Sequence, residues 1–215
     1  MNCGRDGCLY TGHVKRSKLV KDSHGWKTLS SDKNFTNSHL EVVTEKVQTP
    51  TSVQARVYTT VRRKPAVVIA PVTTDGKFLL IKEERIPIRA AIWSMPAGQI
   101  DGDGELGEEE IEAVALRELH EETGYDLAPG GEMIPLGYFF SSAGLTDEHC
   151  YFFLARPVRP ADMHKREEGE AILECRAVTT SELARMIARN EIRDSNTLGI
   201  CARLAAGGFI SLDPN

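Results

Sequence analysis

Residues 96–125 read PAGQIDGDGELGEEEIEAVALRELHEETGY, and the run from Arg117 to Tyr125, RELHEETGY, decides how the rest of the chain is read. On an α-helix successive side chains are separated by about 100°, so Glu118, Glu121 and Glu122 fall within roughly a 100° arc of one face. Like charges at that spacing repel, and the choice costs helix stability unless something cationic sits against it. A divalent metal fits. All-oxygen ligands favour hard ions, and Mg²⁺ takes a few carboxylates, keeps several waters and shares its shell with substrate phosphates; Mn²⁺ is the alternative. The competing reading is a solvated acidic face, which is how Glu108, Glu109 and Glu110 read by themselves.

The stretch resembles the Nudix box, G-x5-E-x7-R-E-U-x-E-E-x-G-U with U a bulky apolar residue. Glu109 stands at the first Glu, seven residues intervene, and Arg117, Glu118, Leu119, Glu121, Glu122, Gly124 and Tyr125 match in order. One position departs from the pattern: six residues before Glu109 stands Asp103 rather than Gly, and Gly102 to Gly107 read as lengthening the loop before the helix. The resemblance implies an α/β (α+β) fold, a mixed sheet sandwiched by helices, and hydrolysis of a phosphoanhydride bond.

Composition agrees with a globular chain of that size. Of 215 residues 41% are hydrophobic, enough for one domain of ordinary size plus an appendage. The formal charge of −5 argues against nucleic acid or an anionic membrane as partner, because both demand a basic footprint. The longest apolar runs, such as 66–71, are too short to span a bilayer, and MNCGRDGCLY lacks the apolar core of a signal peptide, so a cytoplasmic location is expected. Five scattered cysteines, Cys3, Cys8, Cys150, Cys175 and Cys201, read as reduced thiols. Cys3, Cys8 and His13 lack a second matching pair for a zinc site and read as part of a loose terminus.

Residues 1–22 form that extension. Residues 23–63 read as a small β subdomain, with strand texture at Trp26 to Leu29, Leu40 to Thr44 and Ala55 to Val61, too few strands to close a core alone. Residues 64–215 carry the hydrolase domain. Ala66 to Val72 is a continuous apolar run expected to be buried on both faces, and Asp75-Gly76 turns it into Lys77 to Ile81. The segment from Ile92 to Gly98 leads to the loop and the Glu-rich helix; Gly130-Gly131 marks a turn, and further strands are expected at Ile134 to Ser141, Cys150 to Ala155 and Ile172 to Val178. Thr179 and Glu182 form a capping box for a helix through Asn190, and Ser195 starts another that ends near Gly207-Gly208.

Four further stretches look like the ADP-ribose pyrophosphatase branch. Trp93 to Gly98, WSMPAG, resembles its E-L-P-A-G turn with Ser94 where Glu is usual, and Ser142 to Glu148, SAGLTDE, resembles its S-P-G-F-S-D-E loop with Ala143 for Pro. Glu168 to Ile172 is similar to its acidic loop, and Ile192 to Leu198 to its I-x-D-x-x-T-L helix start. The resemblance implies a nucleoside diphosphate sugar as substrate, with Glu118, Glu121, Glu122 and the backbone carbonyl of Ala97 as metal ligands. Arg117 reads as the fork that orients these carboxylates. Glu109 is either a site residue or a first-turn acid favoured by the helix dipole. Arg85 resembles an Arg set against the substrate's phosphates, a surface Arg being the other reading. Trp26 resembles an aromatic placed over adenine, commonly across a dimer interface, and its alternative is a buried anchor for the small sheet. His120 and His149 are not expected as ligands. Helix carboxylates held by a metal make poor bases, so the proton acceptor is expected in the acidic loop at Glu168 or Glu170, with Glu148 as the alternative. A homodimer using residues Trp26 to Val61 is expected. Two alternative functions stay open: a Nudix hydrolase acting on another nucleotide sugar or dinucleotide, and a non-catalytic ADP-ribose sensor.

Overall fold

The computed structural model describes residues 19, 20, 22, 24–101, 107–163 and 171–213. They fall into two compact units, one holding the chain up to Lys64 with Asp101 and Ser142–Glu148, the other holding the rest.

The first unit is an antiparallel sheet of β1 (Lys27–Thr36), β2 (Leu40–Gln48) and β3 (Arg56–Arg63), with β2 in the centre. β1 runs well past Leu29, where its sequence texture fades, because bulges at Thr28/Ser30 and Lys33/Phe35 let a polar strand follow β2 to its end. One face of β2 is buried and ionic: Glu41 and Glu45 flank Val43, and Arg62 bonds both carboxylates, at 3.1 and 2.6 Å. The segment Ser142–Glu148 is tied to β3, with Val61 N–H donating to Leu145 O at 3.0 Å, Arg63 N–H to Asp147 Oδ1 at 3.0 Å, and the Tyr58 hydroxyl to Gly144 O.

The second unit is a seven-stranded mixed sheet. Along its main path lie β10 (Ile172–Val178), β5 (Phe78–Arg85), β4 (Ala66–Thr73), β9 (His149–Pro160) and β8 (Tyr125–Phe140). β4 runs parallel to β9, and the other pairs are antiparallel. Residues 67–71 of β4 are buried on both faces, as their unbroken apolar run requires. Val68 and Ala70 pack with α2 (Thr180–Ala188) and α3 (Ser195–Ala206) on one side, whereas Val67 and Ile69 pack with Ile111, Ala115 and Leu119 of α1 (Glu108–Thr123) on the other. Burying a side chain such as Leu119 contributes about 1.5–3 kcal/mol, so this apolar seam fixes which face of α1 looks away from water.

One expectation is corrected. Gly130-Gly131 is no turn between elements; β8 continues through it, with a register shift between Leu127 and Glu132. Gly130 sits at φ +77°, and a Cβ on Gly131 would lie 2.7 Å from Pro157 O, so the two glycines are read by a bulge and a close backbone approach. The expected capping box of α2 is present, Thr179 Oγ1 accepting Glu182 N–H at 3.1 Å and Glu182 accepting Thr179 N–H at 2.8 Å. No helix among the described residues is long and apolar enough to cross a membrane.

Where β4 and β5 part, the chain between them becomes the platform of the site. They share a single register pair, Val72 with Phe78. Beyond it β6 (Ala90–Ser94) pairs with β5, and β7 (Ala97–Gln99) pairs with β4. Met95-Pro96 is the crossing, pinned by Thr197 Oγ1 accepting Met95 N–H at 2.8 Å and by Pro96 O accepting Ile69 N–H at 2.9 Å.

Candidate active site

The acidic face of α1 lies against β7. Glu118 and Glu122 are each only 6% exposed, which carboxylates tolerate only with compensation. Glu122 Oε2 accepts the Ala97 N–H at 2.7 Å. Glu118 fills the space above Gly98: a Cβ built on that glycine would lie 1.9 Å from the Glu118 Cδ and within 2.3 Å of both oxygens. Glycine at position 98 is thus the condition for the carboxylate to be there.

Arg117 is the fork that its place in the sequence suggests. Its Nη2 lies 2.5 Å from Glu118 Oε1 and its Nη1 2.5 Å from Glu121 Oε2. Burial alone would lower its pKa, but the charges and hydrogen bonds of Glu118 and Glu121 outweigh that and raise it above the ordinary arginine value. The guanidinium carries one charge against three carboxylates, so the four side chains together keep net negative charge. The helix ends as the motif dictates: Gly124 takes the left-handed cap at φ +73° and donates to His120 O at 2.9 Å, a conformation costly for any residue with a Cβ.

Among the described residues no three His, Cys, Asp or Glu side chains converge closely enough to enclose a metal as they stand. Arg117 draws Glu118 and Glu121 to itself, and Ala97 N–H holds Glu122. The donor set still fits a hard divalent cation: it is all oxygen, desolvated on one side and net negative. Mg²⁺ binds through one or two carboxylates plus water and phosphate rather than in a closed protein cage.

Arg85 lies on the same sheet face as α1. On β5 the alternating residues Leu79 and Ile81 are fully buried, and Glu83 and Arg85 continue that parity. Arg85 Nη2 lies 2.9 Å from Glu83 Oε2. Register places Ser94 opposite Ile81, hence diagonal to Glu83. From Ser94 to Ala97 is three residues of extended chain, about 10 Å, a span that one diphosphate compound covers.

The other expected residues divide by location. Glu168 and Glu170 lie outside the described residues, as do Cys3, Cys8 and His13. Glu148 belongs to the unit of the small sheet, where Arg63 Nε reaches its Oε1 at 3.1 Å. Trp26 belongs to that unit too and is 51% exposed, which removes the buried-anchor reading: the strands it precedes leave it no core to enter. Glu109 is exposed in the first turn of α1, where the helix dipole favours an acid. His120 Nδ1 is 2.8 Å from Asp126 Oδ1. Cys150 and Cys201 are buried, and burial pushes the Cys201 thiol up to about 12. Sequence reasoning missed Glu83, although an acid in phase with two inward-facing apolar residues was a legible signal.

The chain is similar to known proteins over most of its length. The model of the NUDIX domain matches residues 62–198, spanning the crossing, the Glu-rich helix and the start of α3. The chain is 29% identical over 171 residues to the ADP-ribose pyrophosphatase of Bacillus subtilis (strain 168), covering 80% of this chain and 88% of that protein. It is 27% identical over 172 residues, with the same coverages, to the methanol dehydrogenase activator of Bacillus methanolicus. A crystal structure of an ADP compounds hydrolase superposes on 89% of this chain and all of that one, with a TM-score of 0.68 at 18% identity, a likeness of fold. The match to the NUDIX domain covers well over half of the chain, and by that domain this chain belongs to the Nudix hydrolase family.

Proposed function

We propose that this protein hydrolyses the pyrophosphate bond of ADP-ribose or a similar nucleoside diphosphate sugar, giving a nucleoside monophosphate and a sugar phosphate, with Mg²⁺ as the metal and Mn²⁺ as its substitute. The observation that carries the reading is the group formed by Arg117, Glu118, Glu122, Ala97 and the Cβ-less Gly98. Glu118, Glu121, Glu122 and the Ala97 carbonyl hold the metal. When bound, such a cation neutralises diphosphate charge and makes a bound water more acidic. Arg117 keeps two of the carboxylates oriented, and Arg85 binds a phosphate of the substrate. Glu168 or Glu170 accepts the water's proton, Glu148 being the alternative.

A second reading keeps the same hydrolysis and changes the substrate to another nucleotide sugar or a dinucleotide; one relative bears a name that mentions no ADP-ribose. The sensor reading is disfavoured because the carboxylate face is intact. A homodimer through the small sheet is part of the proposal: Trp26, Leu29, Phe35 and Val57 are all exposed in that unit, more apolar surface than a three-stranded sheet keeps in water without a partner. Incubating the protein with Mg²⁺ and a panel of ADP-ribose, other nucleoside diphosphate sugars and dinucleotides, with products separated by chromatography, tests the reading. AMP and ribose phosphate from ADP-ribose support it; no turnover of any panel member defeats it.

A further inference from the structure

We propose that Glu83 is the proton-linked partner of Arg85: as a substrate phosphate engages Arg85, the Glu83 carboxylate takes one proton from solvent and stays in place as the neutral acid. This rests on Arg85 being the phosphate-binding residue proposed above.

The geometry makes Glu83 the group that must respond. Its side chain is 18% exposed against 38% for Arg85. Its Oε2 is shut away from water and, although 2.9 Å from Arg85 Nη2, has no aligned hydrogen bond among the described residues. The pair is therefore held by charge alone, which a competing anion on the more open guanidinium weakens directly. Opposite Glu83 stand the apolar side chains of Ile172 of β10 and Ile92 of β6, and the diagonal neighbour Ser94 is buried, its hydroxyl also without a hydrogen-bond partner among the described residues. The charged groups facing Glu83 among the described residues are Arg85 and, from the N-cap of α3, Asp194.

With a phosphate on Arg85, Glu83 faces a second anion besides Asp194, and like charges that close disfavour the ionised form of the one least compensated. Asp194 is compensated by hydrogen bonds: its Oδ2 accepts both the N–H and the hydroxyl of Thr197, at 2.7 and 2.8 Å, and caps α3. Glu83 has no such support. Burial already holds its carboxyl above the ordinary carboxylate range, with Asp194 adding to the rise and Arg85 opposing it. Loss of Arg85's full attention moves it further the same way. The complex then binds a proton more tightly than the free protein does, so affinity is highest at low pH and falls as pH rises through the interval between the two pKa values, at most tenfold per pH unit.

The test is calorimetric titration of the full chain with ADP-ribose without metal, in buffers of different ionisation heat, which counts protons exchanged on binding. The diester pyrophosphate carries no proton of its own near neutrality. Wild type is expected to take up protons on binding, and Glu83→Gln, a neutral near-isostere, to take up fewer, with affinity that no longer falls on the alkaline side. Binding by wild type without proton uptake, or equal uptake by E83Q, overturns the proposal and leaves the substrate reading intact. No binding of ADP-ribose, or binding that Arg85→Gln leaves unchanged, overturns the role of Arg85 and the proposal with it. The wild-type measurement decides even if the variant folds poorly.

Discussion

Replacing Gly98 with alanine separates site geometry from fold stability. The backbone of β7 is extended and accepts alanine, but the new methyl lands 1.9 Å from the Glu118 Cδ. Carbon atoms sit comfortably at about 3.5 Å, so the carboxylate must withdraw by about 1.5 Å. It is the far end of a flexible side chain, so the fold yields there cheaply: we expect a stability loss of at most about 1–3 kcal/mol, the usual cost of overpacking, and a melting curve that stays cooperative. Activity has no such escape. A displacement of about 1 Å at a reacting centre costs roughly 10²-fold, about 3 kcal/mol of transition-state stabilisation. Steady-state kinetics on the best substrate of the panel, together with thermal unfolding, reads both numbers. A double-mutant cycle supplies the control, since in a Glu118→Ala background the methyl meets no carboxylate and G98A is expected to be nearly silent. If G98A keeps kcat within about twofold of wild type, Glu118 does not act from where the structure puts it.

The remaining expectations are direct. Glu122→Gln and Glu121→Gln each lower turnover greatly at saturating Mg²⁺ while the protein stays folded; full activity in excess chelator removes the metal from the mechanism. Neither variant loses stability in metal-free buffer, because each relieves repulsion on a crowded acidic face. Among the Gln variants of Glu148, Glu168 and Glu170, the one at the proton acceptor loses ~10²–10⁴ in kcat with little change in KM, and Glu168 is the expected position; a loss confined to the Glu148 variant moves the base to the loop held by Arg63. Light scattering at micromolar concentration is expected to show a dimer, and a monomer counts against the small sheet as an interface.

The second unit was legible wherever a local rule had one solution. Ala66 to Val72 announced a strand buried on both faces, Thr179 with Glu182 announced the start of α2, and Gly124 announced the end of α1. The rules failed where a residue type serves two geometries. Gly130-Gly131 suits a turn and a bulge equally, and only the neighbouring Pro157 carbonyl, far away in sequence, decides between them. β1 was cut short because a polar strand carries no hydrophobic alternation; its extent is set by pairing to β2.

At the site, periodicity placed the three carboxylates on one face, but it could not show what they face. That depends on the crossing at Met95-Pro96, which carries one chain from β5 to β4 and so sets Gly98 under Glu118 and Ser94 diagonal to Glu83. The two ends of that crossing meet opposite demands. At Gly98 a missing side chain makes room for a carboxylate that Arg117 neutralises with an aligned bond. At Ser94 a short buried hydroxyl stands, and the nearby acid is Glu83, whose charge faces Arg85 without alignment. An aligned pair resists displacement, whereas a misaligned one yields to a competing anion. In the proposed function Arg117 therefore stays with its carboxylates through turnover, and Arg85, among the described residues, is a cation that a diphosphate can claim.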